Sequence, residues 1–272
     1  MANEAYTSVI NADALVVPVK AATIYAAQET SLFLGGELIP VVNAPNGVLQ
    51  VPELAAVTAT TISSEASTGA DLDAVHAADT KNTITCDVYA ARSVVRDLGN
   101  IDPSEIGRVL GNSVSKAFDT AVYAALDSAT ASTEDCIPLS IDAIVDSAAQ
   151  IRANGEMGEL FGVLTPAQTA VVLKEIGTNS FAGSESFQGQ ALRSGALGMI
   201  GGVMFFQSSY IGTDVSKAGY IFGKDAMRIA MQKNVDVEVS RRAAAVGNDV
   251  VASLHAKPAL IDAARAVRLI NV

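Results

Sequence analysis

Apolar residues recur at Ile106, Leu110, Val114, Phe118, Val122 and Leu126, one helical turn apart, and predict an amphipathic helix from Ser104 to about Ser128. Val109, Ala117, Ala121 and Ala125 widen the predicted stripe. The start is well marked: Asp102 can cap the first turn, Pro103 suits the first helical position, and Glu105 stands where a capping box needs it. Such a helix would be roughly 37 Å long at ~1.5 Å per residue. Beside the stripe run Gly107, Gly111 and Ser115. Glycine inside a helix costs about 1 kcal/mol against alanine. The small-residue strip therefore marks close approach of another backbone, either in the same chain or in another subunit.

Before this helix the pattern is mostly extended. Residues 1–35 are a polar start followed by apolar residues that include Ile24, Tyr25, Leu32 and Phe33. They show no compact unit and read as an arm that packs on something else. Short β-prone pieces at Ile39–Val42 and Val48–Pro52 are separated by the turn signal Asn46-Gly47. A small, polar, acidic stretch over residues 64–78 separates them from a second extended limb, residues 80–95. The whole predicts a long hairpin with a polar tip and no core of its own, marginal in water unless it lies on a partner.

After the helix, residues 129–135 read as a linker. A second helix is predicted over Ile141–Ala153, capped by Ser140 and closed by Asn154-Gly155, with Ile144, Val145, Ala148 and Ile151 inward. Phe161–Leu164 reads as a buried strand. Thr165-Pro166 opens a third helix to Ile176 with Val171, Val172 and Leu173 inward. A polar, glycine-rich loop spans residues 178–195. Strands are predicted at 199–206, 218–222, 226–231 and 235–239. A turn is expected at Asn248-Asp249, then a strand to Leu254, a short helical piece over 258–264 and a last strand over 266–270. No repeat of fixed period appears, which argues against solenoids and propellers.

Composition narrows the function. Of 272 residues half are hydrophobic and only 17% charged, so the chain is globular but poor in charge for a free monomer. A net charge of -11 argues against sequence-reading nucleic-acid binding, which needs a basic face. Arg241 with Arg242, and Arg265 with Arg268, are read as solvated charges or local ion pairs. The two cysteines, Cys86 and Cys136, make no disulfide framework. Neither a signal peptide nor an apolar run of membrane-spanning length is present, and no membrane partner is expected. The two histidines, His76 and His255, lie far apart, without metal-ligand spacing. Cys86 has no basic neighbour in sequence to activate it. Residues 198–202, GMIGG, match neither a phosphate loop nor a dinucleotide fingerprint. The expectation is no enzyme, with catalytic, cofactor-binding and metal residues all none.

The order of parts carries a resemblance that no single motif does. Residues 86–95, CDVYAARSVV, resemble the second hairpin limb of the major capsid protein of tailed double-stranded-DNA phages. Residues 163–168, VLTPAQ, resemble its strand-then-helix step. Residues 197–208 resemble its glycine, strand and polar-turn segment, and 235–241, 248–252 and 263–270 its closing strands. The same fold is shared with the herpesvirus capsid floor and with encapsulins. The resemblance implies an α+β fold: an N-terminal arm, 1–35; an extended β-hairpin loop, 46–88; a peripheral domain with a long spine helix, 89–135 and 234–261; and an axial α/β domain, 136–233 and 262–272. It implies a structural protein that self-assembles, as hexameric and pentameric capsomers, into an icosahedral shell around double-stranded DNA. The alternative is an encapsulin-like compartment with protein cargo. The partners implied are the chain itself, a separate scaffolding protein (the chain opens almost at the arm), a portal protein, a decoration or cement protein, and packaged DNA contacted non-specifically. The place implied is the virion, assembled in the host cytoplasm. Some family members join a lysine of the extended loop to an asparagine of a neighbour's returning strands. Asn248 lies near the asparagine's place, but between Glu37 and Thr80 there is no lysine, and Lys81 sits at the hairpin's base.

Overall fold

The computed structural model describes residues 12–54, 79–96, 102–128, 139–178, 198–211, 219–242 and 246–269. The hairpin tip, the 178–195 loop beyond Thr178, the linker at 129–135, His76 and Cys136 lie outside them. The spine helix, α2, runs from Pro103 to Leu126. Asp102 caps it, accepting the Ser104 amide at 2.9 Å. Glu105 turns to Arg108 at 3.1 Å, so the expected capping box gives way to an ion pair along the helix surface. Ile106, Leu110, Val114, Phe118, Val122 and Leu126 are all buried.

Of the residues expected to widen the stripe, Ala125 packs against the core and Ala121 is half-buried. Val109 is 57% exposed and Ala117 faces solvent. The other buried row is Gly107, Gly111, Ser115, Asp119 and Tyr123. What covers it is α1, Ala12–Thr30. A Cβ at Gly107 would stand 2.6 Å from the Val19 carbonyl oxygen, and one at Gly111 2.5 Å from that of Thr23. Ser115 donates to the Ala27 carbonyl at 3.1 Å. The small-residue strip is thus an internal contact. An arm lying wholly on other subunits is not what residues 19–34 form: Phe33 is fully buried and meets Tyr123 edge-on, ring centroids 5.5 Å apart.

Beneath the two helices lies a four-stranded sheet in the order β1 (Val41–Asn43), β9 (Met227–Arg242), β10 (Gly247–Leu260), β4 (Asp87–Arg96). The expected strands at 226–231 and 235–239 are one strand, β9, so the domain boundary drawn at 233/234 falls inside it. The polar pair Lys233-Asn234 marks only a shift of register opposite His255. Asn248 and Asp249 are likewise inside β10, opposite Val95 and Val94, and the chain reverses before them. Pro258 to Leu260 continue β10, and only Ala263–Arg265 form a short 3₁₀ turn.

A second sheet has the order β11 (Ala266–Leu269), β8 (Gly219–Gly223), β5 (Leu160–Leu164), β7 (Val203–Gln207), β6 (Met199–Ile200). β5 is buried at every position. Its alternation divides the core. Leu160 and Leu164 pack with Ile144 and Ile151 of α3 (Ile141–Ala153) and Val172 and Ile176 of α4 (Pro166–Thr178), whereas Phe161 and Val163 join the spine-helix core. Ser140 caps α3, accepting the Ala143 amide at 3.1 Å. α4 carries the reciprocal box: Thr165 Oγ1 accepts the Gln168 amide at 3.2 Å, and Gln168 Oε1 accepts the Thr165 amide at 3.0 Å. Val145 and Val171, expected inward, are 45% and 40% exposed. Gly201 and Gly202, at φ +60° and +82°, make the tight turn between β6 and β7.

The third unit is a ribbon. β2 (Val48–Leu54) pairs antiparallel with β3 (Asp79–Thr85), Val48 opposite Thr85 and Leu54 opposite Asp79. Asn46-Gly47 does turn the chain, with Gly47 at φ +71°, but β1 pairs in parallel with β9 instead of with β2.

Candidate functional site

The residues weighed for chemistry are dispersed. Cys86 breaks the chain between β3 and β4. Its thiol donates to the Ala230 carbonyl at 3.6 Å, and burial pushes its pKa up, opposite to what a nucleophile needs. His255 sits mid-strand in β10, opposite Val88. Among the described residues no group of three or more His, Cys, Asp or Glu is placed to hold a metal. An open groove of about 390 Å³ between α1 and α2 is lined by Tyr25, Glu29, Asp102, Glu105 and Arg108. Asp102 there is occupied as a cap, which holds its carboxyl below the usual range, and Glu105 is paired with Arg108. Arg265 pairs with Asp262 at 2.9 Å and lies 3.5 Å from buried Glu156; Arg268 lies 4.0 Å from Asp127. These two arginines are local ion-pair partners, as their sequence context implied.

What the molecule does present is a ribbon and sheet edges with exposed apolar side chains. The β2–β3 ribbon leaves the body at Gly47 and Cys86, where the Cys86 amide donates to the Gly47 carbonyl at 2.8 Å. Its root is anchored: Ile84, Ala44 and Ala230 form a small buried cluster flanked by Leu49 and Val51. Toward the tip Pro52 faces Lys81 across the ribbon. Among the described residues β4 is an edge strand, paired along one side to β10, and Val88 on it is 60% exposed. In the second sheet the edge hairpin pairs Met199 with Met204, which are 58% and 42% exposed, and Val145 of α3 touches the Gly201 turn between them. Apolar side chains gathered at a sheet edge are the usual mark of a contact surface.

Asn248 lies at the other end of the first sheet, 4% exposed between β4 and β9. Beside it Arg92 holds Asp249 through Nε at 2.7 and 2.9 Å, tying β4 to β10. The two halves of the molecule are joined where Tyr220 of β8 donates to Asp127, just past the spine helix, at 2.5 Å. Several buried polar residues escaped sequence reading, Asp119, Tyr123 and Glu156 among them. The four-residue spacing that singled out Gly107, Gly111 and Ser115 continues through 119 and 123 and would have found the first two.

No family model matches the sequence, and no curated protein matches it either. Solved structures do. The capsid structure of cyanophage P-SCSP1u superposes with a TM-score of 0.67 at 15% identity, covering 89% of each chain. The asymmetric unit of the bacteriophage PhiM1 mature capsid gives 0.64 at 16% identity, over 89% of this chain and 88% of that one. The virus-like particle from Pyrococcus furiosus gives 0.63 at 13% identity, over 93% of this chain and 98% of that one. The chain therefore has the α+β fold of tailed-phage major capsid proteins, matched over 89% of its length.

Proposed function

We propose that this chain is a shell subunit. It is a structural protein that assembles with itself into hexameric and pentameric capsomers and so builds the icosahedral capsid of a tailed double-stranded-DNA phage. The observation that carries the reading is similarity over nearly the whole chain, and of the matched chains, to phage capsid proteins. The surface features agree with it: a ribbon anchored at its root, a strand that is at the sheet edge among the described residues, and an apolar hairpin edge. The role is structural, and the place is the virion, reached by assembly in the host cytoplasm. No helix among the described residues is long and apolar enough to cross a membrane.

The domain plan fits this use. Residues 46–88 lie across a neighbouring subunit, which supplies the core the ribbon lacks. The spine helix with the β1-β9-β10-β4 sheet forms the peripheral part, and the β11-β8-β5-β7-β6 sheet with α3 and α4 forms the axial part. A scaffolding protein, a portal and a decoration protein are the further partners. DNA is contacted weakly and without sequence preference, as a net charge of -11 requires. Negative-stain microscopy of the expressed protein tests the reading: closed shells or capsomer rings are expected, and uniform small monomers under all assembly conditions overturn it. Nucleic acid inside particles from infected cells separates a capsid from a compartment, in which a co-purifying enzyme would be found.

A further inference from the structure

Asp119 is fully buried on the spine helix, in the row that faces α1. Its Oδ1 accepts the Ser31 hydroxyl at 2.6 Å, and its Oδ2 accepts the Leu32 amide at 3.4 Å. Ser31 is the first residue after α1, and its oxygen also accepts the amides of Phe33 and Leu34, both at 3.2 Å. One carboxyl therefore holds the turn that ends α1, across 88 positions of sequence, to the helix that organises the fold.

The charged groups around it do little to support an ionised carboxylate. On its own helix Tyr123 lies one turn on, a buried phenol without a well-formed hydrogen bond, with Ser208 and Tyr210 behind it. One turn back Ser115 spends its proton on carbonyls at Gly111 and Ala27. On α1 the lysine that faces the sheet, Lys20, is paired with Asp236. Among the described residues no lysine, arginine or histidine forms an ion pair with Asp119. A buried carboxylate with one hydroxyl donor, one long amide contact and no cation is costly in its charged form.

We infer that Asp119 and Ser31 form a proton-dependent latch, closed when the carboxyl is protonated, that fastens the α1 end of the chain to the spine helix and loosens as the carboxyl ionises. The sign follows from burial. Desolvation pushes the Asp119 pKa up to about 6 from 3.8, against the smaller opposing effect of the Ser31 and Leu32 hydrogen bonds. A carboxyl raised in the closed state binds more protons there than when open, so closing is favoured at low pH. It weakens as the pH climbs from about 4 to about 6 and stays at the weaker level above. The latch belongs to the single subunit and does not depend on shell formation.

Hydrogen–deuterium exchange of the full-length subunit, read on peptides spanning residues 31–34 and corrected for intrinsic exchange, tests it. Opening of this turn should rise roughly tenfold between pH 5 and pH 7.5, and D119N should abolish the rise. S31A, which removes the donor that supports the charge, covers the case in which D119N does not fold; it should move the transition to higher pH. Corrected exchange that is flat with pH in the unmodified chain, a rise that persists in D119N, or a transition in S31A that does not move overturns the latch.

Discussion

Gly111 faces Thr23 with no space between them: a Cβ on the glycine would lie 2.5 Å from the threonine carbonyl oxygen. The obstacle is backbone, which cannot rotate away, so α1 and α2 must separate to admit a methyl group. Gly111→Ala gains about 1 kcal/mol of helix propensity and meets an overpacking cost of about 1–3 kcal/mol. The expected result is net loss of stability and a lower thermal midpoint for the free subunit. An unchanged or higher midpoint would mean that α1 is not seated as described.

The same contact shows what was legible in the sequence. Caps and turns are local, so Asp102, Ser140, Thr165 and Gly155 could be placed from their immediate neighbours. The burial of Ile106 through Leu126 followed from period alone. The partner of the small-residue strip was not legible, because α1 lies some 90 positions away and its own pattern is blurred by Pro18. Val109, Val145 and Val171 misled for the opposite reason. They are apolar by sequence and exposed in the subunit, as side chains reserved for another surface would be. The sequence pattern divides β9 in two because Lys233 and Asn234 interrupt its apolar run, yet its pairing with β10 tolerates them through two register shifts on either side of His255. Of the surfaces proposed for assembly, the ribbon is legible as extended limbs without a core. The Met199–Met204 edge is not, since nothing local says which face of a hairpin stays open.

Tyr220 and Asp127 join the second sheet to the end of the spine helix at 2.5 Å, and Tyr220 is otherwise sealed, stacked beside Tyr123 with ring centroids 6.0 Å apart. Tyr220→Phe keeps the ring and removes only the hydroxyl. A hydrogen bond to a carboxylate is worth about 1.5–3 kcal/mol, and the partial exposure of Asp127 lowers the expected loss to about 1 kcal/mol. Equilibrium unfolding in urea reads it, and a loss below about 0.3 kcal/mol would deny the bond its role.

Asp236 lies between Lys20 at 2.5 Å and Lys233 at 2.8 Å, linking α1 to β9. Hydrogen bonds from the two lysines, with Lys20 first, hold its carboxyl well below the usual range. A depressed carboxyl contributes stability that is complete above its unfolded value near pH 4 and fades as the pH falls below it. Both lysines are partly exposed, so the contribution is about 1 kcal/mol. Asp236→Asn should therefore melt lower than the unmodified chain at pH 7, with the gap closing between pH 4 and pH 2. A gap that does not narrow in acid would point to packing instead of charge.

The open edge formed by Met199 and Met204 gives a test of assembly that spares the fold. Met204 is 42% exposed and points away from the second core, so Met204→Glu should leave the thermal midpoint of the free subunit within about a degree. If this hairpin meets a neighbouring copy, the buried charge should cut the yield of particles at least tenfold by sedimentation. Normal assembly of the glutamate variant would remove the hairpin from the list of contacts, while leaving the shell reading to microscopy.

A shell of this chain should be held together without covalent links between subunits. Such a link needs a lysine amine as nucleophile and an exposed asparagine amide as its target. Between Glu37 and Thr80 the sequence has no lysine, and Lys81 lies within the paired part of the ribbon, opposite Pro52. The asparagine is equally ill placed. Asn248 is inside the sheet, paired with Val95 on one side and Arg241 on the other, and only 4% exposed. Its side chain is on the buried face of β10 with Val250 and Ala252, so a neighbour's amine could reach it only by opening that face. Cohesion must then come from buried apolar area, strand-edge hydrogen bonds and the ribbon laid over the next subunit, contacts that are modest singly and repeat at every position of the shell. Particles boiled in detergent and reductant should run on a denaturing gel as one band near 28.0 kDa. A ladder of dimers and higher multimers surviving that treatment would show that another lysine–asparagine pair has taken over the chemistry.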